Sequence, residues 1–186
     1  MSRPDAGAAT QRARAMWRYT GDVRPPFAAA PRAGEESVWD YPRPPRVVPD
    51  AREVLVRAGR HEVARTRNAL RVCETASPPT FYLPRTDLNA AFLHEAPGVS
   101  ICEWKGRARY LTVAVPGLRC ERVAWCYDDP LPGCEGLRDH IGFYPSPLAC
   151  FVAGVRVLAQ PGRFYAGWVT PEIVGPFKGE PGSEGW

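Results

Sequence analysis

The sequence predicts a mostly β domain of antiparallel hairpins with one or two short helices, on three grounds. The 186 residues hold 21 prolines and 17 glycines, which remove backbone donors or weaken helix interiors and so favour short strands and fixed turns. Apolar and polar residues alternate with period two in short runs, as around Val54 and Val56, the mark of half-buried strands. Turn-forming pairs such as Gly59-Arg60 and Pro116-Gly117 separate those runs. A helical bundle is excluded, and a single domain of this length buries a core without disulfide or metal support.

Residues 1–15 carry Arg3, Arg12 and Arg14 among alanines, with Asp5 the one acid, and read as a disordered tail; a cleavable targeting segment is the alternative. Residues 16–50 form a proline-rich arm that includes Pro25-Pro26, Pro42, Pro44-Pro45 and Pro49. Alone such a run reads as a polyproline-like linker. It also carries Phe27, Trp39 and Tyr41, and burying each large aromatic stabilises by roughly 1.5–3 kcal/mol. The arm is therefore expected to pack on the body.

Residues 51–186 form the β-rich domain. Val54 and Val56 start a hairpin that turns at Gly59-Arg60 and returns through 61–66. Leu70 and Val72 lie on a strand ending near Ser77-Pro78-Pro79, and 80–83 form a short strand stopped by Pro84. Thr86 caps one helical turn over 86–89. The clearest hairpin joins 99–104 to 107–115 across Lys105-Gly106, and Pro116-Gly117 then leads into a strand over 118–127. A short helix is expected over 134–140, and 151–157 form a last hairpin at Ala153-Gly154. The Gly/Pro-rich stretch 175–182 reads as a rigid C-terminal wrap.

Charge narrows the function. The net charge is +4, and of the 24 basic residues only Lys105 and Lys178 are lysine. The arginines are scattered, whereas a nucleic-acid binder gathers its charge into a stripe with aromatic platforms between. No nucleic-acid partner is expected, and weak attraction for anions is. The six cysteines form no Cys-x-x-Cys pair, and no apolar run suits an export signal or a membrane span. Free thiols, a cytoplasmic location and no membrane contact follow as expectations. Cys120, Cys126 and Cys134 are spaced too irregularly for structural zinc, with His140 as fourth ligand, so no metal and no cofactor are expected. The stretch 175–182 lacks a phosphate loop's Gly-Lys-Ser/Thr ending, and no Gly-x-Ser-x-Gly elbow occurs. His61, His94 and His140 are scattered.

Several phrases resemble the domain of unknown function 427 family. They are Ser37-Val38-Trp39-Asp40-Tyr41-Pro42-Arg43-Pro44-Pro45-Arg46, Glu74-Thr75 with Pro78-Pro79-Thr80 and Tyr82, and Cys102-Glu103-Trp104-Lys105-Gly106 with Tyr110. Further on come Ala124-Trp125 with Tyr127 and Pro130, Phe164-Tyr165-Ala166-Gly167-Trp168, and Ile173-Val174-Gly175-Pro176-Phe177-Lys178-Gly179. The resemblance runs from about residue 17 to 186 and is similar to the family's longer form. It implies a small β-tent-like domain akin to the Mss4-like and methionine sulfoxide reductase B folds. Relatives of those folds often hold zinc on two Cys-x-x-Cys knuckles, and this chain has neither. A label attached to the family suggests nucleotidyl transfer, which needs paired acids for two metals; the adjacent Asp128-Asp129 sits beside Pro130, in a turn. Cys73 stands where the family pattern has an aliphatic residue, and Ala76 where Ser-His is common.

One polar and aromatic constellation remains. Arg71, Glu74, Tyr82, Glu103, Trp104, Lys105, Tyr110, Trp125 and Tyr127 are the candidates to line one concave surface, the form of a small-molecule site. Each aromatic has a core alternative, and Glu103–Lys105 a surface-pair alternative. An acid within an aromatic strand phrase needs a partner. The expected function is binding of a small polar or anionic molecule. Acid–base catalysis by Glu74 or Glu103 and a non-catalytic interaction module are the alternatives.

Overall fold

A computed structural model describes residues 6–162 and 164–186. Ala6–Ala15 form helix α1, where alanine-rich composition favours helix. This corrects the disordered tail over most of its length, and residues 1–5, with Arg3, lie outside the described residues. The arm holds strand β1 (Glu36–Ser37) and a 3-10 turn at Val38–Asp40, opened by Trp39 N donating to Ser37 Oγ. It ends in β2 (Arg46–Asp50).

The body continues with β3 (Val54–Ala58), β4 (His61–Thr66), β5 (Ala69–Glu74), β6 (Ser77–Pro84), β7 (Leu93–Cys102), β8 (Gly106–Val115) and β9 (Leu118–Cys126). Then follow β10 (His140–Phe143), β11 (Ala149–Val152), β12 (Val155–Arg156), β13 (Leu158–Ala159), β14 (Trp168–Val169) and β15 (Ile173–Val174). The result is mostly β. A seven-stranded antiparallel sheet has the order β2-β5-β6-β10-β9-β8-β7, and a four-stranded one the order β12-β11-β3-β4. Two short ribbons pair β1 with β15 and β13 with β14.

Four expected elements differ. The turn expected over 86–89 is a 3-10 turn at Arg85–Asp87, and Thr86 lies inside it and does not cap it. The β5–β6 turn falls at Thr75-Ala76, with Ala76 at φ 68°, so the prolines expected to end a strand lie inside β6. The helix expected over 134–140 shrinks to a 3-10 turn at Glu135–Leu137. Asp139, at φ 59°, then redirects the chain into β10, which slots between β6 and β9. The main hairpin turns through Glu103, Trp104 and Lys105, closing on the Cys102–Gly106 pair. Gly106, at φ 99°, supplies the left-handed residue that a three-residue loop requires.

Strand alternation divides the large sheet. Phe81 and Leu83 of β6 face the four-stranded sheet and join Val54, Val56, Leu111, Ile141 and Phe143 in the main core. Trp168 closes this core, stacked 5.0 Å from Phe81, its Nε1 donating to Phe143 O at 2.9 Å. Tyr82 points the other way, with Val72, Trp125 and Tyr127. A third cluster joins arm to tail: Val38, Trp39 and Tyr41 pack with Cys73, Ala76 and Ile173. Trp39 is fully buried between the rings of Tyr19, Phe27 and Trp186, and its Nε1 donates to Pro176 O at 3.0 Å. All six cysteines are free thiols, and among the described residues no helix is long and apolar enough to cross a membrane.

If the arm belongs to the cooperative core, Trp39→Ala lowers stability by about 3–5 kcal/mol in urea unfolding. A loss below about 1 kcal/mol would show that it folds apart.

Candidate functional site

The second face of the large sheet carries a cavity of about 250 Å³. Its floor is a cross-strand row in which Leu70 pairs with Tyr82, Tyr82 with Gly142, Gly142 with Trp125, and Trp125 with Tyr110. Gly142 is what lets this row form. A Cβ there would sit 2.5 Å from Trp125 Cζ2, so the missing side chain makes room for the indole to lie across β10. Trp125 Nε1 donates to Tyr82 Oη at 3.2 Å, and the two rings meet edge to face at 5.8 Å. Tyr127 lies beside Tyr82, their ring centroids 6.3 Å apart. The walls come from Glu74 and Val72 of β5, the 103–105 loop, Tyr144 after β10, and Gln160, Tyr165 and Lys178 of the tail. Trp17, from the segment after α1, completes the lining.

Charged groups meet around this space. Glu74 lies 3.5 Å from Lys105 Nζ and 3.3 Å from Arg43 Nε. Arg43 has 1% of its side chain exposed and donates to Tyr19 O at 2.9 Å and to Thr75 O at 2.8 Å. Glu103 accepts from Trp17 Nε1 at 2.7 Å, while its carbonyl accepts from Arg14 Nε at 2.9 Å. Lys178 is buried; its Nζ donates to Trp186 O at 2.8 Å and lies 3.3 Å from the Trp17 ring centroid. Its backbone N–H donates to Ala76 O at 2.7 Å, which fixes the tail on the β5–β6 turn.

Burial and charge set protonation. Desolvation pushes Tyr82 up to about 12 and Tyr127 well above the usual phenol range, so both remain neutral hydroxyls at physiological pH. Burial alone would lower Lys105, but the negative charge of Glu74 outweighs that and raises it. Lys178 goes the other way. Burial first, then repulsion from Arg43, bring it down to about 8 against the pull of Glu74 and Glu103.

The structure brings Glu74, Tyr82, Glu103, Lys105, Tyr110, Trp125 and Tyr127 to one cavity, along with Cys102. It leaves out two expected members. Arg71 projects from the opposite face of β5, toward Glu36 at 3.2 Å and Asp50 at 3.4 Å. Trp104 sits at the hairpin tip, buried beneath the Arg14 guanidinium at 4.8 Å. The sequence reading missed Trp17, Arg43, Gly142, Tyr165 and Lys178. A signal existed for Lys178, because the only two lysines of an arginine-rich chain both line this cavity. Asp128 and Asp129 pair with Arg109 and Arg138, away from it. Among the described residues no group of three or more potential ligands is placed to hold a metal.

Two outcomes test this geometry. Gly142→Ala displaces the Trp125 ring and costs about 1–3 kcal/mol of stability, read by denaturant unfolding. Lys178, faced by Arg43, Glu74, Glu103 and Tyr165, loses its proton near pH 8 when folded but near 10.5 when unfolded. Between those values the unfolded chain holds more protons, so folding stability gains with rising pH. Wild type minus Lys178→Met should therefore shift in favour of wild type from about pH 8 to 10.5; a flat difference rejects the lowered value.

A comparison with curated proteins finds no match. A family profile described as a domain of unknown function (DUF427) matches residues 46–154, which include the aromatic floor, Glu74, Glu103 and Lys105. Trp17, Arg43, Tyr165 and Lys178 come from the flanks. With more than half of its length matched, the chain belongs to the DUF427 family.

Proposed function

We propose that the protein binds a small anionic aromatic molecule in this cavity. The observation that supports the reading most is a pair of lysines within an aromatic wall: Lys105 and Lys178 line the cavity with Glu74 and Glu103, and Arg43, outside the lining, pairs with Glu74 at 3.3 Å. Because Glu74 is also held by Arg43, an anion entering this space can draw on Lys105 in partly desolvated surroundings, where electrostatic attraction is stronger than in water. Tyr82 and Tyr127 offer neutral hydroxyls for orientation, and flat walls favour a flat ligand.

Acid–base catalysis has one supporting observation, the shared cavity of Glu74, Glu103 and Cys102. Binding is favoured because the oxygens of both carboxylates are engaged, those of Glu74 by two cations and one of Glu103 by an indole N–H. The burial of Trp39 and Tyr41 against the body leaves those aromatics unavailable to a docking partner, which speaks against an interaction module. Nucleic acid and membrane are not proposed as partners. Six free thiols fit a reducing compartment, and we place the protein in the cytoplasm on that ground.

Benzoate and 4-hydroxybenzoate are the first probes, with benzylamine as the control of opposite charge. At about a hundred times its dissociation constant an acid probe raises the melting temperature by roughly 5–10 °C. Benzylamine leaves it unchanged, and Lys105→Met loses the shift. The same shift in the variant, or none with either acid, would sink the proposal.

A further inference from the structure

We propose that this cavity takes an electron-rich planar heteroaromatic with a ring N–H, and that the Trp17 indole occupies that ligand's place in the closed protein. The inference rests on the binding function proposed above and names the ligand class.

Trp17 is held as a ligand is held. It belongs to none of the three apolar clusters, remains partly exposed, and lies outside every helix and strand. Charged groups hold its ring. At the ring edge, Nε1 donates to Glu103 Oε1 at 2.7 Å, the short distance of a charge-assisted bond. Over the ring stand the Arg43 guanidinium at 4.5 Å and the Lys178 ammonium at 3.3 Å from the centroid, both within cation–π range.

Those groups select chemistry. Two cations over a π face favour an electron-rich ring, and a carboxylate at its edge requires a donor where pyridine-type nitrogen would be repelled. An indole or a similar N–H heterocycle meets both demands. A carboxylate or phosphate on that ring would have Lys105, in the same lining, as a partner. Trp17 reaches the site from a segment anchored by Arg14 to the Glu103 carbonyl, so a ligand must displace it.

The test compares three probes by calorimetry on wild type, Trp17→Ala and Arg14→Ala: indole-3-acetate, 1-methylindole-3-acetate and benzoate. In Trp17→Ala, indole-3-acetate should bind at least tenfold more tightly than its N-methyl analogue and tenfold more tightly than it binds wild type. Adding Glu103→Met to Trp17→Ala should shrink the preference over the N-methyl analogue to less than threefold. Arg14→Ala, which loosens the segment and leaves the indole present, should strengthen binding in the same direction. Equal affinity for the two indoles in Trp17→Ala, or no gain over wild type, overturns the inference. If benzoate binds while the two indoles are not distinguished, only this inference falls. If no probe binds any form, the binding function falls with it.

Discussion

The architecture hangs on a buried guanidinium. Arg43 has almost no contact with solvent and cannot shed its proton, and its partners come from separate parts of the chain: its two Nη atoms donate to carbonyls, while Nε has only the charge of Glu74 beside it. Tyr19 O comes from the N-terminal segment and Thr75 O from the β5–β6 turn; Glu74 comes from the cavity wall and the Trp17 ring from beyond α1. Breaking such a pair leaves a charge buried without compensation, which costs about 3–5 kcal/mol. The arm is therefore part of the site. Two further bonds fix the same turn: Ala76 N donates to Val38 O, and Lys178 N to Ala76 O. Arm, sheet and tail meet there, and the cavity is the space they leave.

The identity of the cations in and beside the cavity follows from what each must do. Arginine suits Arg43, whose planar fork reaches two carbonyls and a carboxylate at once. Lysine suits Lys178, where a compact ammonium fits between a carbonyl oxygen and an indole face. Lys105 serves as a permanent charge, because Glu74 beside it offsets its burial. Three cations with three different constraints share a small volume. A general arginine bias would have supplied three arginines, so the two lysines mark positions where geometry overrode composition.

The fold was legible because its signals are local. Gly59-Arg60, Pro116-Gly117 and Ala153-Gly154 punctuate the hairpins, and alternation around Val54, Leu70 and Phe81 assigns faces. The same alternation held the answer on Arg71, since a period of two places it opposite Val72 and Glu74. Trp104 was misplaced by a turn set one residue late: a three-residue loop puts the indole at the tip instead of on a strand face. Trp17, Arg43 and Lys178 were beyond local reading. Trp17 meets Glu103 across 86 residues and Trp39 meets Pro176 across 137, and no periodicity reports such closures. The strand β10 was hidden for another reason. Its four residues include Gly142, whose value lies in the side chain it lacks, and a strand that short with a glycine inside carries little pattern.

Helix α1 links the cavity to the order of the N-terminal segment. Ten residues are fewer than an isolated helix needs for stability in water, and AGAATQRARA offers no large apolar side chain to bury. Its first turn has no acid to match the helix dipole. Tertiary anchors must then supply much of its stability, and Arg14 and the adjacent Trp17 both attach to the Glu103 loop. On the proposal that Trp17 stands in for a ligand, filling of the cavity by Trp17 and persistence of the helix are one equilibrium seen from two ends. Whatever displaces the indole must also meet the free-energy change of loosening the segment, and conversely the entropy released there lowers the net cost of opening. On the proposed binding function, the apparent affinity of the site is set jointly by the contacts inside it and by how firmly α1 is held outside it.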